Sequence, residues 1–409
     1  MREPVAQARV GRTVPFRDQP APLPRAGDTR PGYAGLSPAV FGAWMAEHGE
    51  PAYRAHQVAD ALWSGRAATF EGIRQLPGAL RTSLGDAFRA DTIVTTEVRP
   101  ADGGLTGKAL HRLADDRLVE SVLMRYPARG GRRARATLCI SSQAGCAVGC
   151  PFCATGELGF WRDLDTAEIV DQARYWRREL LATGEHVTNI VFMGMGEPLL
   201  NTDAVIDAAA ALSDAARFGL GARHITISTS GVVPGIERLM ELGAQYTLAV
   251  SLHAARTSLR SLLVPLEHRW PATDVVAAAT AYGERTGRRV TYEMVMIGGI
   301  NDTPEDAHAA ADLLRGRLAH VNLIPMNPVA HTPWEPSTPE RIEAFANVLR
   351  AAGLSTTVRR NRGVDIGAAC GQLAAELSGQ PTPGAVARRR KLLVDKSATA
   401  LQLAGAGTR

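Results

Sequence analysis

Apolar and polar positions change their period twice along this chain. From Leu36 to about residue 90 they recur at helical spacing. Ser37 followed by Pro38 reads as a cap and a first-turn proline, and Val40, Phe41, Trp44 and Met45 then form one stripe. Tyr53, Ala55, Val58, Ala61 and Leu62 predict a second helix, and Leu80, Leu84 and Phe88 a third. Over residues 92–98 and 107–125 the pattern becomes β, with Gly103–Gly104 as a turn between the two runs. From Ala136 onward short β-branched runs alternate with helical stretches. The strands expected are Thr137–Ser141, Asn189–Met193, His224–Ser228, Tyr246–Ser251, Val290–Met296, Val321–Pro325 and Ser355–Arg359. Helices are expected over Asp203–Ala216, Gly235–Leu242, Thr273–Thr286, Pro304–Leu318 and Pro339–Ala352. Such alternation predicts an α/β fold: a parallel sheet covered by helices, an open or closed β/α barrel whose chemistry gathers at the carboxyl ends of the strands.

The ends of the chain look different. Residues 1–32 hold six prolines and few large apolar side chains, so they are expected to be a disordered, basic, proline-rich tail. Residues 376–409, with the run Arg388–Lys391, are expected to be a second basic tail. Between them lie a helical domain (33–91), a β extension (92–135) and the barrel core with a carboxyl-terminal cysteine loop (136–375). The 409 residues are 45% hydrophobic and 21% charged, which excludes wholesale disorder. No apolar run approaches the ~18 residues of a membrane span and no signal-peptide core follows the start, so a cytoplasmic protein with no membrane partner is expected. The net charge of +5 permits an anionic partner without requiring one.

The cysteines carry the sharpest signal. Cys146-Ala-Val-Gly-Cys150-Pro-Phe-Cys153 is a C-x3-C-x2-C loop directly after a strand. Three thiolates on one tight loop can converge on a metal centre; an iron–sulfur cluster held by three keeps one iron open, the mark of a catalytic site. A zinc site completed by His111 or His253 is the structural alternative, weakened because no second C-x2-C or H-x3-H pair stands at finger spacing. Cys139 lies within the preceding strand. Cys370 lies in a glycine-rich segment after the last strand, preceded by Arg359, Arg360 and Arg362, whose charge favours thiolate. If the sheet closes, its first and last strands bring Cys139 and Cys370 together beside the cluster.

At these residues the sequence resembles the radical S-adenosylmethionine (SAM) superfamily. Met193-Gly194-Met195-Gly196-Glu197-Pro198 matches its glycine-rich SAM-binding turn, where glycines let the backbone approach the methionyl amine and Glu197 can accept a hydrogen bond from it. Further stretches are Ser141–Cys146, Ser228-Thr229-Ser230-Gly231, Ser251-Leu252-His253-Ala254, Ile324-Pro325-Met326-Asn327-Pro328 and Ala369-Cys370-Gly371-Gln372-Leu373. They narrow the resemblance to the RlmN/Cfr family of RNA adenine methyltransferases, in particular its RlmN branch, over about residues 36–375.

That resemblance implies a radical SAM partial barrel holding one [4Fe-4S] cluster on Cys146, Cys150 and Cys153. It implies SAM binding by Gly196, Glu197, Ser228, Ser251, Leu252, His253 and Asn327, with two SAM molecules used per turnover. Cys370 would first accept a methyl group, and a hydrogen atom would then be taken from it. The resulting methylene radical would add to carbon 2 of an adenine, Glu120 would accept the ring proton, and Cys139 would release the product by forming a Cys139–Cys370 disulfide, which an external reductant reopens. Implied partners are 23S rRNA (at its peptidyl-transferase loop, before ribosome assembly), tRNA (at the adenine beside the anticodon) and an electron donor such as flavodoxin, with the enzyme a monomer. The helical domain and Arg125, Arg129, Arg132, Arg133 and Arg135 would contact RNA. Two other readings stand beside this one: Cfr-like methylation of adenine carbon 8, and a noncatalytic zinc-bearing RNA-binding protein.

Overall fold

The computed structural model describes residues 27–131, 133–329 and 332–359, with 363, 367, 372, 391, 393–398 and 402. Three helices come first: α1 (Pro38–Glu47), α2 (Ala52–Trp63) and α3 (Gly78–Ala87). The Ser37 hydroxyl accepts from the Val40 amide, the cap read from the sequence. Tyr33, Phe41 and Phe88 pack edge to face behind them, with ring centroids 5.0 and 6.0 Å apart.

Strands β1 (Val94–Ala101), β2 (Thr106–Arg112) and β3 (Leu118–Tyr126) follow as an antiparallel meander, and β4 (Arg135–Cys139) pairs antiparallel with β3. The segment 107–125, expected as one β run, is two strands. Asp116 at φ 62° turns the chain between them, and its amide donates to the Leu113 carbonyl. A small antiparallel pair, β5 (Gln143–Gly145) and β6 (Phe160–Asp163), encloses the short helix α4 (Ala154–Leu158). Then come α5 (Thr166–Leu181), β7 (Asn189–Phe192), α6 (Thr202–Ser213), β8 (Ile225–Thr229), α7 (Val233–Glu241), β9 (Thr247–Ser251), α8 (Thr257–Leu263), α9 (Ala272–Thr286), β10 (Val290–Met296), α10 (Pro304–Leu314), β11 (Ala319–Pro325), α11 (Pro339–Ala351) and β12 (Ser355–Val358).

The large sheet runs β1-β2-β3-β4-β7-β8-β9-β10-β11-β12, parallel from β4 onward. It is a partial β/α barrel, as expected, but its closure differs from the simplest expectation. β3 takes the free side of β4, so the first and last parallel strands do not pair; the chain beyond β12 instead reaches the β1–β2 turn, where the Gly363 amide donates to Asp102 Oδ2 at 3.1 Å.

Register divides the sheet into two faces. Leu123, Leu138, Ile190 and Ile225 lie side by side across four strands, all fully buried on the convex face. Each such burial contributes about 1.5–3 kcal/mol. Helix α5 covers this face at the meander, where the Trp176 indole donates to the Ser121 hydroxyl. The opposite, concave face is polar: Ser251, Glu293, Asn322 and Thr357 form one row across β9 to β12.

Two segments expected as tail are structured where described. Gly32 bridges Arg89, and the Arg89 amide donates to Pro31. Residues 393–398 are helical; Leu393 is buried, and Ser397 accepts from the Trp334 indole. Among the described residues no helix is long and apolar enough to cross a membrane.

Candidate active site

The cysteine loop leaves the carboxyl end of β4 through β5 and folds back on itself. The Cys146 amide donates to the Gly159 carbonyl at 2.8 Å. Gly145 at φ +81° sits so close that a Cβ would lie 2.0 Å from that oxygen, and a Cβ on Gly156 would lie 2.8 Å from the Cys150 carbonyl oxygen. Bulk at either position would push α4 off the loop.

Burial, then the charge of Cys153, pushes the Cys146 thiol up to about 12. Burial, then Cys146, Cys153 and Glu197, pushes Cys150 well above the usual thiol range. Enclosed thiols whose proton affinity their neighbours raise ionise together only beside concentrated positive charge, which a bound metal centre supplies. Among the described residues no three His, Cys, Asp or Glu side chains come close enough to share a single ion. The three cysteines of a cubane each bind a different iron, so this donor set fits a cluster better than one zinc.

Neither histidine of the zinc alternative is disposed to complete such a site. His111 lies on the convex face, one ring nitrogen 2.9 Å from the Thr95 hydroxyl and the other 2.6 Å from that of Ser121. His253 follows β9 at φ 60° with its ring edge-on to Phe152 of the cysteine loop, centroids 4.8 Å apart. Its Nδ1 accepts from the Val295 amide at 3.1 Å, so the neutral ring carries its proton on Nε2. Burial lowers its pKa to about 3.

The turn after β7 packs on the exit of β4. A Cβ on Gly194 would lie 2.7 Å from the Ile140 carbonyl, and one on Gly196, at φ +103°, 2.6 Å from the Gln143 Cβ. Close packing against protein thus accounts for both glycines. Glu197 braces neighbouring loops: Oε2 accepts from the amide and hydroxyl of Ser230, each at 2.7 Å, and Oε1 from the Leu199 amide at 3.0 Å. Burial raises its pKa, against the pull of these donors. Ser228 is buried on β8, Ser251 ends β9, Leu252 is wholly enclosed, and Asn327 is buried just beyond β11.

Side chains the sequence reading passed over hold these loops. Arg260 of α8, fully buried, donates to the Ser230 carbonyl at 2.7 Å and to the Leu252 carbonyl at 3.1 Å, and it is neutralised by Glu267. Asn301 donates to the His253 and Val295 carbonyls and accepts from the Ile297 amide. Gln143 accepts from the Glu197 amide, and Ser141 accepts from the Met195 amide while donating to the Glu120 carbonyl at 2.6 Å. Only the serine and Gln143 lie in the stretches matched by resemblance; the spacing of Arg260 and Asn301 carries no local signal.

Cys139 ends β4 on the concave face, buried, in register with Val122 of β3, which is in turn in register with Lys108 of β2. Glu120, two residues before Val122, shares that face. Its Oε1 lies 3.2 Å from the Lys108 ammonium, and both side chains are almost entirely enclosed, at 2% and 4% exposure. Cys370 falls outside the described residues; Gln372, two positions later in the sequence, donates to the Pro328 carbonyl at 3.1 Å. In the arginine run Arg125 is committed to Glu185 at 3.0 Å and Arg135 lies over the Tyr126 ring at 4.3 Å, while Arg129 and Arg133 are exposed. Arg132 is outside the described residues.

Residues 140–314 match the radical SAM superfamily. A probable dual-specificity RNA methyltransferase RlmN of Gemmatimonas aurantiaca is 47% identical over 346 residues, covering 84% of this chain and 92% of that protein. One from Frankia casuarinae is 51% identical over 342 residues, covering 81% and 80%. The crystal structure of a radical SAM methyltransferase from Sphaerobacter thermophilus matches at a TM-score of 0.82 and 44% identity, covering 85% of this chain and 100% of that one.

Proposed function

The chain belongs to the RlmN family within the radical SAM superfamily, and on that premise we propose that it is a radical SAM RNA methyltransferase acting on carbon 2 of adenine in 23S rRNA and tRNA. Cys146, Cys150 and Cys153 hold one [4Fe-4S] cluster. Gly196, Glu197, Ser228, Ser251, Leu252, His253 and Asn327 hold SAM, of which two are used per turnover. When bound, cluster and SAM supply the one-electron cleavage that makes a hydrogen-abstracting radical.

The remaining work falls to side chains. Carbon 2 of adenine has no lone pair, so it cannot attack a methyl cation equivalent. Cys370 carries the methyl group as S-methylcysteine and, after losing a hydrogen atom from it, bonds to the ring. Glu120 takes the ring proton. The adduct also gives up one electron, equal to the one that cleavage consumed. Cys139 then attacks the Cys370 sulfur, so that the sulfur–sulfur bond forms as the sulfur–carbon bond breaks, and the released carbon takes a proton to become the new methyl group. An external reductant must reopen the disulfide. The supporting observation is that Cys139 and Glu120 share one buried stretch of the concave face, on the strand from which the cysteine loop emerges and on its neighbour. The helices of 33–91 and exposed Arg129 and Arg133 are suited to phosphate contact, and an electron donor such as flavodoxin would reduce the cluster. The rRNA would be met before ribosome assembly, by a cytoplasmic monomer.

RNA deuterated at carbon 2 of adenine tests the position: product that has lost the label is expected, and methylated product retaining it would move the reaction to carbon 8. The Cys139→Ala protein should accumulate RNA bonded to Cys370, visible as a slow-migrating protein–RNA species. Normal turnover without that species would eliminate the two-cysteine scheme.

A further inference from the structure

Lys108 is one of three lysines in a chain whose basic charge is otherwise arginine, and it is buried on the concave face. Its ammonium lies 3.2 Å from Glu120 Oε1. Enclosing two opposite charges this completely is costly unless their attraction compensates, and removing one leaves the other strongly disfavoured. Among the described residues, the charged or titratable side chains facing Glu120 from its flanking strands are Lys108 and Arg112 on β2 and Cys139 and Arg135 on β4; the β5 segment Gln143–Gly145, also packed on β3, has none. Arg112 is exposed beside Asp116, and Arg135 lies over Tyr126 at the far end of the row. Among the described residues a direct cationic contact of Glu120 is that with Lys108.

We propose that Lys108 is a positioning residue that keeps Glu120 ionised and aimed along the concave face, so that its carboxylate can accept the adenine ring proton at neutral pH. This rests on the proton-acceptor reading of Glu120. In the step concerned the ring carbon–hydrogen bond breaks, its electron pair stays with the ring, an O–H bond forms on Glu120, and the radical adduct gives up one electron, equal to the one consumed in making the radical. Arginine at position 108 would preserve the charge, whereas methionine would remove a cation 3.2 Å from an enclosed carboxylate and so favour its protonated form.

Single-turnover formation of methyladenine is followed against pH in reconstituted enzyme. The acid limb of the Lys108→Met protein should move to higher pH by about one to three units, while Lys108→Arg should keep the wild-type limb. Isotope-edited infrared spectra of glutamate-labelled protein should gain a protonated-carboxyl band at pH 7 in Lys108→Met, which Lys108→Met/Glu120→Gln should lack. A wild-type pH limb in Lys108→Met overturns the proposal. If that variant is inactive at every pH the band decides: its presence supports the pairing role, and its absence overturns it. Glu120→Gln separates the two ideas, with a loss of about 100-fold or more expected. A wild-type rate there would remove Glu120 as proton acceptor, with the infrared band still testing whether Lys108 keeps it charged.

Discussion

His111 shows how far a single buried residue can depart from what its type suggests. In the sequence it is a candidate metal ligand; in the fold it faces away from the cysteine loop and is held between two hydroxyls. Burial lowers its pKa to about 3, against about 6.5 in the unfolded chain. Between those values the unfolded state binds a proton that the native state does not, so this residue lowers stability as the pH falls below about 6.5. By pH 5 the loss amounts to about 2 kcal/mol. Urea unfolding of the His111→Gln protein should therefore change less between pH 7 and pH 5 than that of wild type, and an identical change would refute the burial argument. Residues whose chemistry sits in a contiguous run, above all Cys146, Cys150 and Cys153, were legible from spacing alone. Lys108, Arg260 and Asn301 were not: Lys108 meets Glu120 only through the register of the β2–β3 hairpin, and Arg260 and Asn301 contact segments distant in sequence that only tertiary packing brings near.

Among the elements, α5 is the instructive omission. The parallel strands β4 and β7–β11 and the helices α6, α7, α9, α10 and α11 were visible because their buried faces are apolar and periodic. The buried face of α5 includes Glu168, Asp171, Gln172 and Arg174, so a search for an apolar stripe passes over it. These polar groups are paired. Gln172 accepts from the Ser141 amide and donates to the Ser141 carbonyl, and Glu168 receives both terminal nitrogens of Arg162. Asp171 accepts from the amide and hydroxyl of Thr92 at 2.8 and 2.7 Å and pairs with Arg174, which in turn donates to the Ala90 carbonyl. The helix thereby fastens the amino-terminal helices to the strand that leads into the cysteine loop. Asp171→Ala would remove one of the two carboxylates beside buried Arg174, leaving Asp91, and would strand the buried Thr92 amide and hydroxyl, at a cost of about 1–3 kcal/mol. Hydrogen exchange should rise across α1–α3 more than across β8–β11, and unaltered protection in α1–α3 would show that the joint lies elsewhere.

On the scale of the whole molecule, charge and topology were legible to different degrees. The excess of basic side chains was plain, yet their availability was not: Arg125, counted with its neighbours as a phosphate ligand, is tied to Glu185, whereas Arg129 stands in solvent. Binding of RNA should weaken as salt is raised, and Arg129→Gln should lessen the log–log slope by roughly 0.7–0.9. Arg125→Gln should leave it near the wild-type value; the reverse ranking would mean that the Glu185 pair gives way to RNA. The α/β alternation announced a parallel sheet with helices, but not which strand would flank β4. That depends on the meander pairing back through β3, a long-range choice that alternation alone does not specify.

Because β3 takes that place, the ten strands end at two separate margins instead of joining in a ring. A ring would have to be prised apart, ladder bond by ladder bond, to admit anything as bulky as a nucleotide still attached to its strand. Among the described residues this architecture leaves β1 and β12 unpaired with each other, their margins joined through the contact of Gly363 with Asp102. Parting such a contact to admit a polymeric guest would leave every inter-strand bond made, so opening would ask less of the host than unzipping a ladder.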